Sequence, residues 1–89
     1  MNPSLVILSF LAARWPSAYD IAAIARRATA SGMLDSPLTE AAAAAELLTL
    51  SDVRGYAAHA ADTMSGRVYW TATREGVAEW VRRGSPQIT

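Results

Sequence analysis

The sequence contains no cysteine, which removes disulfides, thiolate catalysis and cysteine-ligated zinc or iron–sulfur sites together. Its one histidine, His59, argues against an all-protein transition-metal site. Lysine is missing as well: all eight basic residues are arginine, and eight acids bring the formal net charge to zero. A neutral chain has weak credentials as a nucleic-acid binder, because such affinity comes largely from neutralised phosphates. Arginine, however, is the better phosphate and base reader, since its planar fork binds bidentately. An arginine-only, alanine-rich composition also follows simply from a GC-rich coding sequence. No glycine-rich phosphate loop or dinucleotide fingerprint is present, and no serine is placed by motif to complete a triad with His59 and Asp62. Glu75 and Glu79, four residues apart, read as solvated like charges rather than as an acid–base pair. No enzymatic activity and no cofactor are expected.

What is present describes an ordered globular chain, with 52% hydrophobic and 18% charged residues. Eighty-nine residues allow one domain, spanning 1–89. The apolar run Leu5 to Ala13 has no preceding positive charge, so it does not read as a secretory signal. It also falls well short of the roughly 20 residues that span a bilayer. The expectation is a buried helix over about 4–14 in an N-terminal segment 1–15, a cytoplasmic protein and no membrane partner. Pro3 suits the first turn, Ser4 is the expected cap, and Trp15-Pro16 ends the helix. Being apolar nearly all round, this helix belongs either at the centre of the core or in a dimer interface.

Further along, Ser17 to Asp20 reads as a capping box opening a helix to about Ser31. There Ile21, Ile24, Ala25 and Ala28 share one face, Arg26 and Arg27 lie off it, and Gly32 stops it in a left-handed C′ position. After a connector over 33–38, Thr39 starts an alanine-rich helix to Leu48. Thr49 to Asp52 is a tight turn, capped either by Thr49 with Asp52 or by Ser51 alone. A helix over 52–63 follows, with Val53, Ala57, Ala60 and Met64 inward and Ser51, Gly55, Ala58 and Asp62 outward. Ser65-Gly66 is a turn signal, and Arg67 to Thr73 alternates as a strand. Thr73 caps a last helix that carries Val77, Trp80 and Val81 inward and ends at Gly84, leaving a tail over 84–89. Trp15, Trp70 and Trp80 read as core residues. Arg82-Arg83 reads as a complement to the last helix's dipole.

The run Val68-Tyr69-Trp70-Thr71-Ala72-Thr73-Arg74-Glu75-Gly76 resembles the end of a wing in bacterial winged helix-turn-helix regulators. In that family an alternating strand runs into a Leu-Thr-Pro-Glu-Gly-type helix start. Ala72 stands where leucine is usual, and Arg74 where proline is usual. Leu50-Ser51-Asp52-Val53-Arg54 likewise resembles the beginning of a recognition helix, and the similarity covers about residues 17–83. It implies a mainly α fold, a winged helix-turn-helix with a reduced wing, of about five helices and a short strand or hairpin. Only four residues separate helix 52–63 from the strand, so either the wing is reduced or that helix ends early and supplies the missing strand.

By this resemblance the protein is a small bacterial or phage transcriptional regulator that binds double-stranded DNA through helix 52–63 and a wing over 66–74. Arg54 would then read guanine, Ser51 would meet a phosphate, His59 would serve either role, and Arg67 and Arg74 would touch the backbone. The alternative is a winged-helix-like adaptor or phage-type inhibitor that docks on a host protein through the small-residue stripe at Gly55 and Ala58. A homodimer through Leu8, Leu11 and Trp80 is compatible with both.

Overall fold

In the computed structural model, which describes residues 1–88, four helices and one hairpin follow each other along the chain. The first helix, α1 (Pro3–Ala13), starts at Asn2 rather than Ser4: the Asn2 Oδ1 accepts the Leu5 N–H at 2.8 Å. Pro3 occupies the first turn, where its missing N–H costs nothing. Every residue from Val6 to Ala12 is buried, and α1 packs against α2 (Ile21–Ala30), α3 (Glu40–Leu48), α4 (Arg74–Arg82) and strand β2 (Val68–Ala72). It is therefore the centre of the core. Leu8 and Leu11 are 3% and 0% exposed, so the expected dimer contact through them is corrected: the chain's own helices already cover both. Each buried leucine contributes about 1.5–3 kcal/mol in this position.

Helix α2 begins later than the sequence suggests, because its cap is Asp20 and not Ser17. The Asp20 carboxylate accepts the Ala23 N–H at 2.8 Å. The preceding residues are extended, and Tyr19 exchanges two backbone hydrogen bonds with Trp70 (2.9 and 2.7 Å), forming a one-residue rung beside β2. Ile24, Ala25 and Ala28 face inward, Arg26 and Arg27 face water, and Gly32 closes the helix at φ +73°. Thr39 caps α3 through the Ala42 N–H at 3.1 Å. Instead of stopping in a capped turn, α3 runs straight into a π-helical turn, Thr49–Val53. That turn buries Leu50, and Gly55 at φ +70° then ends the helical path.

The helix expected over 52–63 does not form. Residues Ala57–Ala61 are strand β1, paired antiparallel with β2 from Ala57↔Ala72 to Ala61↔Val68. The second strand of the hairpin is thus supplied by the segment read as a helix, and the described residues form four α-helices rather than five. The reason is an accounting of backbone groups: β2 alone would leave its amides and carbonyls unpaired, and the segment just before it is the nearest partner. Alanine's helix preference, about 1 kcal/mol or less per residue, is overridden by that pairing.

Asp62 builds the hairpin turn. Its carboxylate accepts the Ser65 hydroxyl at 2.6 Å and the Ser65 and Met64 N–H groups at 3.1 and 3.4 Å. These bonds, the Ser65 hydroxyl first, hold the carboxyl below the usual aspartate range.

Thr73 caps α4 as the sequence predicts, accepting the Gly76 N–H at 3.0 Å, and its hydroxyl also donates to the Gly55 carbonyl at 2.6 Å. Trp70 is buried and Trp80 half-buried, while Trp15 and Val81, both expected inside, are exposed. The Trp80 indole N–H donates to the Pro86 carbonyl at 3.0 Å and Ile88 is buried, so the described part of the tail folds back onto the core. No helix among the described residues is long and apolar enough to cross a membrane.

Candidate functional site

The residues expected to meet DNA are dispersed by the hairpin. Ser51 lies half-buried in the π turn, where its carbonyl accepts the Gly55 N–H at 3.2 Å. Arg54 follows that turn and is exposed. Gly55 bends the chain rather than offering a flat face, and Ala58 sits on β1 opposite Thr71. His59, also on β1, places its ring 4.6 Å from that of Trp70. Arg67 closes the hairpin turn just before β2, 3.8 Å from the Asp20 carboxylate, and Arg74 is the first residue of α4. Arg54 and Arg74 flank the same Gly55–Thr73 hydrogen bond. Arg67 lies at the opposite end of β2, roughly 20 Å from Arg74 by strand rise. The Gly55–Ala58 stripe no longer exists as a helical face, since it belonged to the helix that does not form.

The helix immediately before the hairpin is α3 with its π turn, and its solvent side has a clear composition. Ala41, Ala45 and Leu48 recur at i, i+4 and i+7 and are all exposed, with Leu48 at 49%. Val53, at the end of the π turn, is 74% exposed. Glu40, Glu46 and Asp52 are the charges of this segment, and no basic residue occurs between Glu40 and Val53.

A second concentration of polar groups lies where α4 meets the first turn of α1. Glu79 is 7% exposed. Its carboxylate accepts two bonds from Arg82, at 2.8 and 2.7 Å, and one from Arg83 at 2.6 Å. Arg83 first and then Arg82 hold Glu79 below the usual glutamate range, and Glu79 in turn raises Arg82. Glu79 is therefore not the solvated charge the sequence suggests, and Arg82 and Arg83 are tied to it rather than only to the helix terminus. The i+3 and i+4 spacing carried that signal. Beside this cluster is a cavity of about 130 Å³ lined by Ser4, Leu5, Leu50, Arg54, Tyr56 and Arg83, among others.

The chain matches no protein-family profile, and neither the curated proteins nor the solved structures searched contain a match to it.

Proposed function

We propose that the protein is a winged-helix-like interaction module that docks a protein partner through the outer face of α3 and its π turn. In the winged helix-turn-helix arrangement the helix before the hairpin enters the major groove, and here that place falls to residues 40–53. One observation carries the choice of partner: this segment shows Leu48 and Val53 to solvent and carries three acids with no cation. Phosphates would be repelled from such a face, and it offers no bidentate donor to a base edge. An apolar centre with an acidic border is instead complementary to a protein surface with apolar residues ringed by Lys or Arg. DNA binding remains the second reading, supported by Arg67 exposed at the hairpin end and by Arg74.

The distinguishing experiment uses Leu48→Asp, which leaves the core intact because the side chain faces water. Co-purification of a stoichiometric partner with the wild-type chain, lost with Leu48→Asp while the circular dichroism is unchanged, is the expected result. A duplex-DNA mobility shift that weakens steeply with salt and is removed by Arg67→Ala would overturn the protein-docking reading and favour the second.

A further inference from the structure

The cavity between the first turn of α1, the π turn and α4 belongs to neither reading above and stands independently of both. At about 130 Å³ it is slightly smaller than the roughly 150 Å³ cavity that accepts benzene, so it suits an occupant of about four to six non-hydrogen atoms. Leu5 and Leu50 give it an apolar side. Its polar lining is rich in donor-bearing residues: Arg54, Ser4 and Tyr56 are among those that line it, and Arg54 takes part in no ion pair among the described residues. Arg83 spends its Nε on Glu79 and keeps its terminal nitrogens. The Glu79 carboxylate does not repel an incoming anion, because both of its oxygens are already held by Arg82 and Arg83. The three charged lining residues, Arg54, Arg83 and Glu79, sum to one positive charge, which one negative charge cancels. A guanidinium fork receives a planar carboxylate through two parallel bonds, and the leucines leave room for a short aliphatic body.

We propose that this cavity binds a small monocarboxylate, with its carboxylate received by Arg54 and Arg83 and its alkyl body against Leu5 and Leu50. A millimolar affinity is the expectation for so few atoms, about half the binding free energy that the best ligands of this size reach.

The test is a titration of the full chain with sodium propionate, followed by amide proton–nitrogen spectra at constant ionic strength. Propionamide and sodium sulfate are titrated as controls. The expected result is a saturable millimolar response at the amides of Ser4, Arg54 and Tyr56, with propionamide silent and sulfate markedly weaker. Arg54→Gln is expected to weaken propionate about tenfold, and Tyr56→Phe several-fold. Arg26→Gln, on the exposed side of α2, leaves binding unchanged. A variant is scored only if the rest of its spectrum overlays the wild type, and the two site variants serve as alternatives should one misfold. Equal responses to propionamide or to sulfate overturn the carboxylate assignment. The absence of saturation, or a Tyr56→Phe and Arg54→Gln pair that binds like the wild type, overturns the site.

Discussion

Gly76 offers the sharpest test of how the hairpin is locked to α4. It lies in the first turn of that helix, and a Cβ built there would run into the Tyr56 carbonyl oxygen, with the carbonyl carbon 2.9 Å and the Tyr56 Cα 3.1 Å away. The obstruction is backbone, so no rotamer change relieves it. That carbonyl also accepts the Thr73 N–H at 3.0 Å, hence moving it strains a second bond. In an open helix Gly→Ala would stabilise by about 0.5–1 kcal/mol. Here overpacking costs about 1–3 kcal/mol, and a weakened hydrogen bond adds about 0.5–1.5 kcal/mol. The sum is a net loss of about 2 kcal/mol, which for a domain this small lowers Tm by roughly 8–16 °C. Urea unfolding followed by tryptophan fluorescence measures it, with Ala78→Gly as the control on an exposed position of the same helix, expected to lose only about 0.5–1 kcal/mol. If Gly76→Ala were as stable as the wild type or more so, helix preference alone would govern the position and the close approach to Tyr56 would be refuted.

Ser9 is fully buried in α1 and its hydroxyl has no hydrogen-bond partner among the described residues; Ser9→Ala should therefore raise stability by about 1 kcal/mol, and a lower urea midpoint would contradict the burial of an unpaired hydroxyl. Thr73→Val removes the α4 cap and the bond to Gly55, for a loss of about 1–2 kcal/mol, whereas Thr73→Ser keeps both bonds and should stay close to the wild type in thermal unfolding. Glu79 is held below its ordinary range by Arg83 and Arg82, so the folded state binds its proton less readily than the unfolded one. Its stabilisation is complete above the ordinary glutamate value, about 4.3, and is lost as pH falls through the lower folded value. Asp62 contributes with the same sign. The wild-type urea midpoint should drop through that acidic window, and the gap between wild type and Glu79→Gln should close there; a gap that persists in acid would show that the arginines do not act on the charge.

Helix starts and stops were readable where one residue decides them. Thr39 and Thr73 cap as expected, Gly32 ends α2, and the periodic face of Ile24, Ala25 and Ala28 turns inward. Segment 52–63 was misread because Ala57–Ala61 is mostly alanine, a residue with helix preference and almost no side chain to mark a strand by alternation. Its state is set by pairing with Val68 to Ala72, seven to fifteen residues further along in the register, a contact that the periodicity of the segment itself does not show. The two early caps were misplaced for a simpler reason: Asn2 competes with Ser4, and Asp20 with Ser17, and the extended rung between Tyr19 and Trp70 decides the second case by holding the residues before Asp20 out of the helix.

The candidate surfaces were hidden by the same short segment. A regular turn after Leu48 would have left Thr49 to Asp52 as separate caps, with the next helix carrying Arg54 toward solvent as a base reader. The π turn instead inserts an extra residue into the helical path, a deformation frequent at functional sites. It sinks Leu50 into the core, leaves Val53 in water beyond Leu48, and brings Arg54 to the cavity rim beside Arg83. Leu48, Val53 and Arg54 thus follow one another along one helical path, which Leu47 and Leu50 anchor in the core. A partner on the proposed docking face and an anion in the proposed cavity would both rest on the segment held by the Arg54 N–H to Thr49 and Tyr56 N–H to Leu50 hydrogen bonds. Any influence of one on the other must be reciprocal, because a coupling free energy acts equally in both directions.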